Sequence, residues 1–130
     1  MNASPQILGE LDLDMFIQLR RDIHQNPELG AHTPLTAELV ACKLEDWGYE
    51  VHRGIGGHGV VGVLRRGSGT RRMGLRADMD ALPMQEKNRF AHASRIEGRM
   101  HACGHDGHTA ILLAAAWRIA QSSDFNGTLN

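Results

Sequence analysis

The chain has 130 residues, which is enough to bury one hydrophobic core. Hydrophobic residues make up 42% of it and charged residues 22%, proportions that exclude a disordered chain and are ordinary for a globular protein. The formal net charge is −1 and both signs are mixed along the chain, so we expect no nucleic-acid-binding face and no acidic tail.

Neither a leader peptide nor a membrane span is predicted. Residues 1–10 lack the basic start and the apolar centre of a signal peptide. The longest apolar run, residues 110–117, is much shorter than the roughly 20 residues that cross a bilayer. We therefore expect a cytoplasmic protein, in which a reducing environment keeps Cys42 and Cys103 from forming a disulfide.

The first predicted element is an amphipathic helix over residues 11–25, where apolar side chains recur at helical spacing. Asp12 or Asp14 is positioned to cap its start. Asn26-Pro27 is expected to end the helix, because proline cannot continue it.

A second helix is predicted to begin at Thr33-Pro34, an N-cap followed by proline in the first turn, and to end at Gly48. Its apolar side is expected to carry Leu35 and Cys42. On this interpretation Cys42 is a buried structural thiol that packs as a small apolar side chain.

Strands follow the second helix. Short runs at 49–52, 60–64 and 73–77 have the composition of strands, and the glycine-rich residues 66–70 are expected to join the last two as a hairpin-like turn. Helices mixed with strands in this order favour a layered α/β domain.

The last third of the chain is predicted to contain a polar surface loop at 85–99 and a largely buried helix at 109–121. Residues 128 and 129 have the composition of a strand that begins just before the chain ends. Because domain boundaries seldom fall at the first residues of a strand, we interpret residues 1–130 as the truncated N-terminal part of a larger α/β domain.

The segment most informative about function is residues 101–108, HACGHDGH, in which imidazole, thiolate and carboxylate donors suited to zinc and similar metals are concentrated. In an extended segment Cys103 and His105 point to the same side, so this pair is the predicted metal-binding pair. The alternative is a polar loop with ordinary surface histidines. Three neighbours are expected to orient ligands or contact substrate: His101, Asp106 and His108. Direct metal binding by His101 or by His108 is the alternative for these two histidines.

A second candidate segment is residues 76–83, RADMDALP, where a predicted strand runs into Asp78 and Asp80. Two carboxylates at positions i and i+2 lie on one side of an extended chain. Taken alone, they favour two solvated aspartates in a turn. Next to a metal-binding histidine, one of them could instead accept a hydrogen bond from the ring and fix its tautomer.

These two segments, together with RDIHQNPELG at 21–30, closely resemble the aminoacylase/carboxypeptidase-type metal-dependent amidohydrolases. The nearest subgroup is the hippurate hydrolases and the hydrolases of indole-acetyl amino acid conjugates. The resemblance covers almost everything from residue 16 to residue 129.

The resemblance implies the N-terminal portion of an α/β zinc-peptidase-like catalytic domain, without the inserted domain that aids dimerisation. It also implies two divalent metal ions (zinc, manganese, cobalt or nickel) and a small N-acyl amino acid substrate, in an enzyme that is a homodimer or larger when complete. By position, Cys103 and His105 match metal ligands and Asp80 matches the supporting aspartate. Asp78 lies where many relatives have a ligating histidine, so its role stays open.

The activity implied by the resemblance is metal-dependent hydrolysis of an amide bond, in which a glutamate moves the proton. In the family, that general-base glutamate follows the strand that begins near Thr128, and we do not find it in these 130 residues. The chain alone is therefore expected to be inactive, to bind metal weakly and to associate through its exposed apolar surface. The alternatives are a non-enzymatic remnant of the family or a small module with a structural metal.

Overall fold

The computed structural model describes residues 11–130. Residues 1–10, on which the prediction of no leader peptide rests, lie outside the described part. The elements in chain order are helices α1 (Leu13–Gln25) and α2 (Pro34–Asp46), strands β1 (Glu50–Ile55), β2 (Gly59–Arg66) and β3 (Arg72–Met73), helix α3 (His105–Ala120) and strand β4 (Gly127–Leu129). The fold is mixed α/β, as predicted. None of the helices in residues 11–130 is long and apolar enough to cross a membrane.

The four strands form one sheet in the order β1-β2-β4-β3. Strand β2 pairs antiparallel with β1 and with β4, whereas β3 pairs parallel with β4. The predicted hairpin between the second and third strands is therefore wrong, because β4 lies between them. The third strand is also shorter than predicted: residues 74–77 are outside it, although Leu75 N still donates to Asn130 O at 2.9 Å.

Helix α1 forms where its apolar periodicity predicts it. Asp12 is the N-cap, with its side chain accepting from Met15 N at 3.1 Å, and Asn26 is the C-cap. The helix buries Phe16 and Ile23 on the side that packs against α3. Both the ends and the buried side of this helix agree with the sequence.

Helix α2 has the predicted bounds, but its buried side differs from the prediction. Its buried residues are Thr36, Ala37, Ala41 and Leu44. Leu35 is 69% exposed and Cys42 is exposed as well, so the predicted buried thiol is wrong. Small side chains let the helix lie close to β1, β2 and α3, and this close packing decides which side is buried.

The start of α2 is capped by a residue from outside the helix. Thr33 makes no side-chain cap hydrogen bond. Instead, the buried Glu28 carboxylate accepts from Leu35 N at 3.0 Å, from Thr36 N at 2.7 Å and from Thr36 Oγ1 at 2.7 Å. A carboxylate is favourable here because the first amides of a helix lack partners and carry a partial positive charge.

The hydrophobic core lies between α1, α3 and the sheet. Phe16 packs edge-on against Trp117, with ring centroids 6.4 Å apart, and lies 6.0 Å from the Trp47 ring. Leu64 and Leu113 are almost fully buried in the same cluster. Helix α3 begins at His105, four residues before the predicted start of 109, so residues 105–108 of the candidate metal segment form its first turn.

Candidate metal centre

The candidate metal centre forms where the segment after β3 meets the first turn of α3. His105 and His108 are separated by one helical turn, so both side chains lie on the same side of the helix. Asp78 faces them: its Oδ1 lies 2.8 Å from His108 Nδ1 and its Oδ2 lies 3.3 Å from His105 Nε2. One ligand atom from each of these three residues lies within 4.8 Å of the others.

Asp80 contacts the other side of the His105 ring. His105 Nδ1 lies 2.9 Å from Asp80 Oδ1 and 3.0 Å from the Asp80 carbonyl oxygen. Both oxygens are acceptors, so Nδ1 donates to Asp80, and Nε2 is the ring nitrogen left to bind a metal. That nitrogen points to the side where Asp78 lies. The arrangement fixes the tautomer that a metal-binding histidine needs.

The carboxylate of Asp78 is held in its ionised form by the two imidazoles. The hydrogen bond from His108 lowers the pKa of this carboxyl, and the nearby His105 adds to the effect. Thr109 Oγ1 donates to the Asp78 carbonyl at 2.9 Å, which ties the strand-following segment to α3. The carboxylate is therefore both charged and fixed in position next to the two rings.

Gly104 provides the turn that leads into α3. Its φ of 91° lies in the left-handed region, which a residue with a side chain would occupy only at a cost in strain. This turn places Cys103 on the outer surface, where it is exposed. Cys103 is not part of the group formed by Asp78, His105 and His108, and its assignment as a ligand stays a prediction.

Asp106 lies between the two histidines in sequence but faces the opposite direction, towards α1. Its Oδ2 lies 2.8 Å from His24 Nδ1 and accepts from Arg20 Nη1 at 3.1 Å. The other nitrogen of the same ring, His24 Nε2, lies 2.8 Å from Glu86 Oε1. Sequence reasoning gave no chemical role to His24 or Glu86. The available signal was a histidine placed on the apolar side of α1, next to Ile23.

Both carboxylates of this network are ionised despite their burial. Burial raises the pKa of Asp106, but the hydrogen bonds from His24 and the Gly107 amide together outweigh it, and the pKa is lowered. The pKa of Glu86 is lowered in the same way: burial opposes ionisation, and the Ser94 amide and His24 overcome it. A buried carboxylate is stable as an anion only with such partners.

His101 lies beside this network and is 4% exposed. Its ring centroid is 6.3 Å from that of His24. Neither ring nitrogen has a hydrogen-bond partner within residues 11–130. Burial lowers the pKa of His101, which favours the neutral ring. These contacts do not test the prediction that His101 orients ligands or contacts substrate, and it stays a prediction.

A cavity of about 760 Å³ opens beside the candidate centre, between β2, residues 74–80 and α3. Asp78 and Asp80 line one part of it, and apolar side chains that include Leu113 line the rest. The cavity is large enough for a small organic molecule.

Two imidazoles and a carboxylate are donors that suit zinc, manganese, cobalt and nickel. The described residues therefore fit a divalent metal: the donors are close together, and one imidazole already has the tautomer required. The neighbouring Cys103 would add a donor that favours zinc.

Comparison with known proteins agrees with this chemistry. The profile of peptidase family M20/M25/M40 matches residues 74–130, which include the whole candidate centre. Hippurate hydrolase of Campylobacter jejuni is 54% identical over 133 residues, covering 100% of this chain and 33% of that protein. IAA-amino acid hydrolase ILR1-like 5 of Arabidopsis thaliana is 46% identical, covering 89% of this chain and 27% of that protein.

A solved structure is similar as well. The Bacillus subtilis YXEP protein, described as a dinuclear metal binding peptidase from the M20 family, superposes with a TM-score of 0.84 at 34% identity, covering 89% of this chain and 33% of that one. The chain thus spans about a third of the length of these relatives. Residues 74–130 thus match peptidase family M20/M25/M40, and the chain as a whole is similar to part of a hippurate hydrolase.

Proposed function

We propose that this chain is part of a peptidase of family M20/M25/M40. In this proposal it provides metal ligands for a site that hydrolyses the amide bond of N-acyl amino acids. The single observation that carries the proposal is the contact of Asp80 with His105 Nδ1 at 2.9 Å, which leaves Nε2 available beside Asp78 and His108. The substrate class is supported by the 54% identical hippurate hydrolase. Hippurate-like compounds are the first substrates to test.

In this proposal His105 is the central ligand, with Asp78 and His108 on one side and Cys103 two residues before it. A divalent metal held there would polarise the scissile carbonyl and activate water. Asp80 orients His105 and raises the basicity of its Nε2. The two-metal composition follows from the description of the solved relative as dinuclear, and is proposed for this chain on that basis.

We also propose that the 130-residue chain does not hydrolyse amides by itself, because a glutamate that moves the proton is needed. The two buried glutamates of the described residues have other partners. Glu28 accepts three hydrogen bonds at the start of α2, and Glu86 accepts from His24 and from Ser94 N. Neither carboxylate is available to move a proton beside His105.

Metal titration tests the first part of the proposal. Calorimetric titration with Co²⁺ or Zn²⁺ should show saturable binding, weakened at least roughly tenfold in His105→Ala. His52→Ala is the matched control, because His52 is an exposed histidine paired with Glu50 on β1. Equal weakening in both variants, or no saturable binding to the unmodified chain, would refute the proposed metal centre.

The two cysteines test whether Cys103 is a ligand. Both are exposed, so both should react with an alkylating reagent in the absence of metal. The hydrogen bond with Glu38 raises the pKa of Cys42, which slows its reaction at neutral pH regardless of metal. Added Zn²⁺ should slow only the alkylation of Cys103, as read by mass spectrometry. Unchanged reaction of Cys103 at saturating metal would remove it from the ligand set.

The inactivity of the chain is tested with N-benzoylglycine in the presence of each of the four metals. No release of glycine is expected, and release that a chelator abolishes would overturn this part of the proposal. A cytoplasmic location and a homodimeric complete enzyme belong to the same proposal, and sedimentation tests the second of them.

A further inference from the structure

One imidazole, that of His24, is held between two buried carboxylates in the part of the molecule behind the candidate metal centre. Its Nδ1 lies 2.8 Å from Asp106 Oδ2 and its Nε2 lies 2.8 Å from Glu86 Oε1. The side chains of all three residues are at most 7% exposed. Carboxylate oxygens accept, so each ring nitrogen has its own acceptor within hydrogen-bond distance.

Each carboxylate belongs to a different segment of the candidate site. Asp106 lies in the first turn of α3, directly after His105 and two residues before His108. Adjacent residues of a helix point about 100° apart, so Asp106 anchors this turn to α1 while the histidines face Asp78. Arg20, also on α1, contacts the same Asp106 oxygen at 3.1 Å and adds a second anchor.

Glu86 belongs to the segment 83–99, which directly precedes the metal-binding segment. The two ends of 83–99 are joined by the bridge between Leu82 and Met100 and by the Gln85 side chain, which accepts from Gly98 N at 2.8 Å. Within it, Glu86 Oε1 accepts from Ser94 N at 3.0 Å. The segment is therefore a closed loop, and His24 fixes it to the same helix that anchors Asp106.

We propose that His24 is a positioning residue for the metal centre, acting through Nδ1 and Asp106 to fix the turn that carries His105 and His108. This inference rests on the proposed function, since it concerns the same site. The Nε2 contact with Glu86 has the separate role of holding the loop 83–99 on α1. Nδ1 therefore fixes the turn of α3, whereas Nε2 holds the loop 83–99, and the two roles can be tested separately.

The test compares His24→Asn with His24→Gln. The amide nitrogen of asparagine reaches the position of Nδ1 and keeps a donor for Asp106, whereas that of glutamine reaches the position of Nε2 and keeps a donor for Glu86. Both variants remove the ring and keep only one of its two carboxylate contacts, so both should melt at a similarly lowered temperature. Co²⁺ affinity should fall roughly 10- to 100-fold in His24→Gln and much less in His24→Asn.

Hydrogen exchange gives a second readout that does not need metal. The backbone amides of residues 105–108 should exchange faster in His24→Gln than in His24→Asn, while the loop amides near Ser94 should show the opposite order. If His24→Gln does not fold, Arg20→Gln replaces it, because Arg20 anchors the same Asp106 oxygen from a partly exposed position. The amides of residues 105–108 should again exchange faster, with no change near Ser94.

Equal loss of metal affinity and equal exchange in the two His24 variants would overturn the proposal, because it would show that His24 serves packing alone. A chain that binds no Co²⁺ but shows the expected exchange difference would refute the proposed metal centre and leave the positioning of the turn intact. The two failures are therefore distinguishable.

Discussion

The orientation of His105 by Asp80 makes the most direct prediction of metal affinity. Asp80→Ala removes the carboxylate oxygen at 2.9 Å from Nδ1 but leaves the backbone carbonyl of the same residue at 3.0 Å. Removing the partner of a metal-binding histidine usually costs 10- to 100-fold in affinity. Because one acceptor remains, we expect the lower end of that range, roughly tenfold, which corresponds to about 1.4 kcal/mol.

The measurement is calorimetric titration of the chain with Zn²⁺ at fixed pH and salt. Asp80→Asn should lose less than Asp80→Ala, because its amide oxygen can still accept from Nδ1. Asp124→Ala is the control for charge, since it removes an exposed aspartate outside the site and should bind as the unmodified chain does. If Asp80→Ala binds Zn²⁺ as tightly as Asp124→Ala, the carboxylate does not orient the ring and the reasoning is refuted.

Three further predictions concern the fold that supports the site. Burial raises the pKa of Tyr49, the single tyrosine, from 10.0 to about 12, so the tyrosinate absorbance of the folded chain should titrate near the higher value. The stability that the neutral phenol contributes is complete below pH 10 and is lost as the pH rises through 12. A titration midpoint at 10 in the folded chain would contradict this. Leu113→Ala should cost about 2–5 kcal/mol in urea denaturation, because the side chain is 3% exposed, whereas Ile111→Ala at 69% exposure should change stability by less than about 0.5 kcal/mol. Glu28→Ala removes the acceptor of three hydrogen bonds at the start of α2 and should lower the free energy of unfolding by about 1.5–3 kcal/mol in the same assay. A loss of stability no larger than that of Ile111→Ala would show that α2 does not need this cap.

The helices show how far local sequence reasoning reaches. Helix α1 has one apolar stripe and a capping aspartate, so its ends and its buried side could both be predicted. Helix α2 has small and apolar residues on more than one side. Its bounds follow from Thr33-Pro34 and Gly48, but its buried side depends on which neighbour it packs against. For this reason the sequence placed Leu35 and Cys42 on the buried side of the helix, whereas both are exposed.

The strands show the same limit. The order β1-β2-β4-β3 brings residues 127–129 between two strands that precede them by more than fifty residues. Pairing over such a distance is decided by contacts between segments, and no turn signal between 66 and 70 could reveal it. The chain does change direction at this glycine-rich sequence, and Gly69 N donates to Asn126 Oδ1 at 2.6 Å. However, the strands on either side of it, β2 and β3, each pair with β4 and not with each other.

For the site, the sequence by itself determined the resemblance to a family, the α/β class and the two segments that carry metal-binding residue types, because these depend on residue identity and short spacing. Only the tertiary structure decided that Asp78 and His108 lie beside His105, that Cys103 lies on the outer surface, and that His24 and Glu86 are buried behind the centre. The physical reason is that a lone histidine or glutamate has the same local pattern whether it is solvated or buried. Its role depends on the partner that compensates its burial, and here the partners of His24 lie 62 and 82 residues away along the chain.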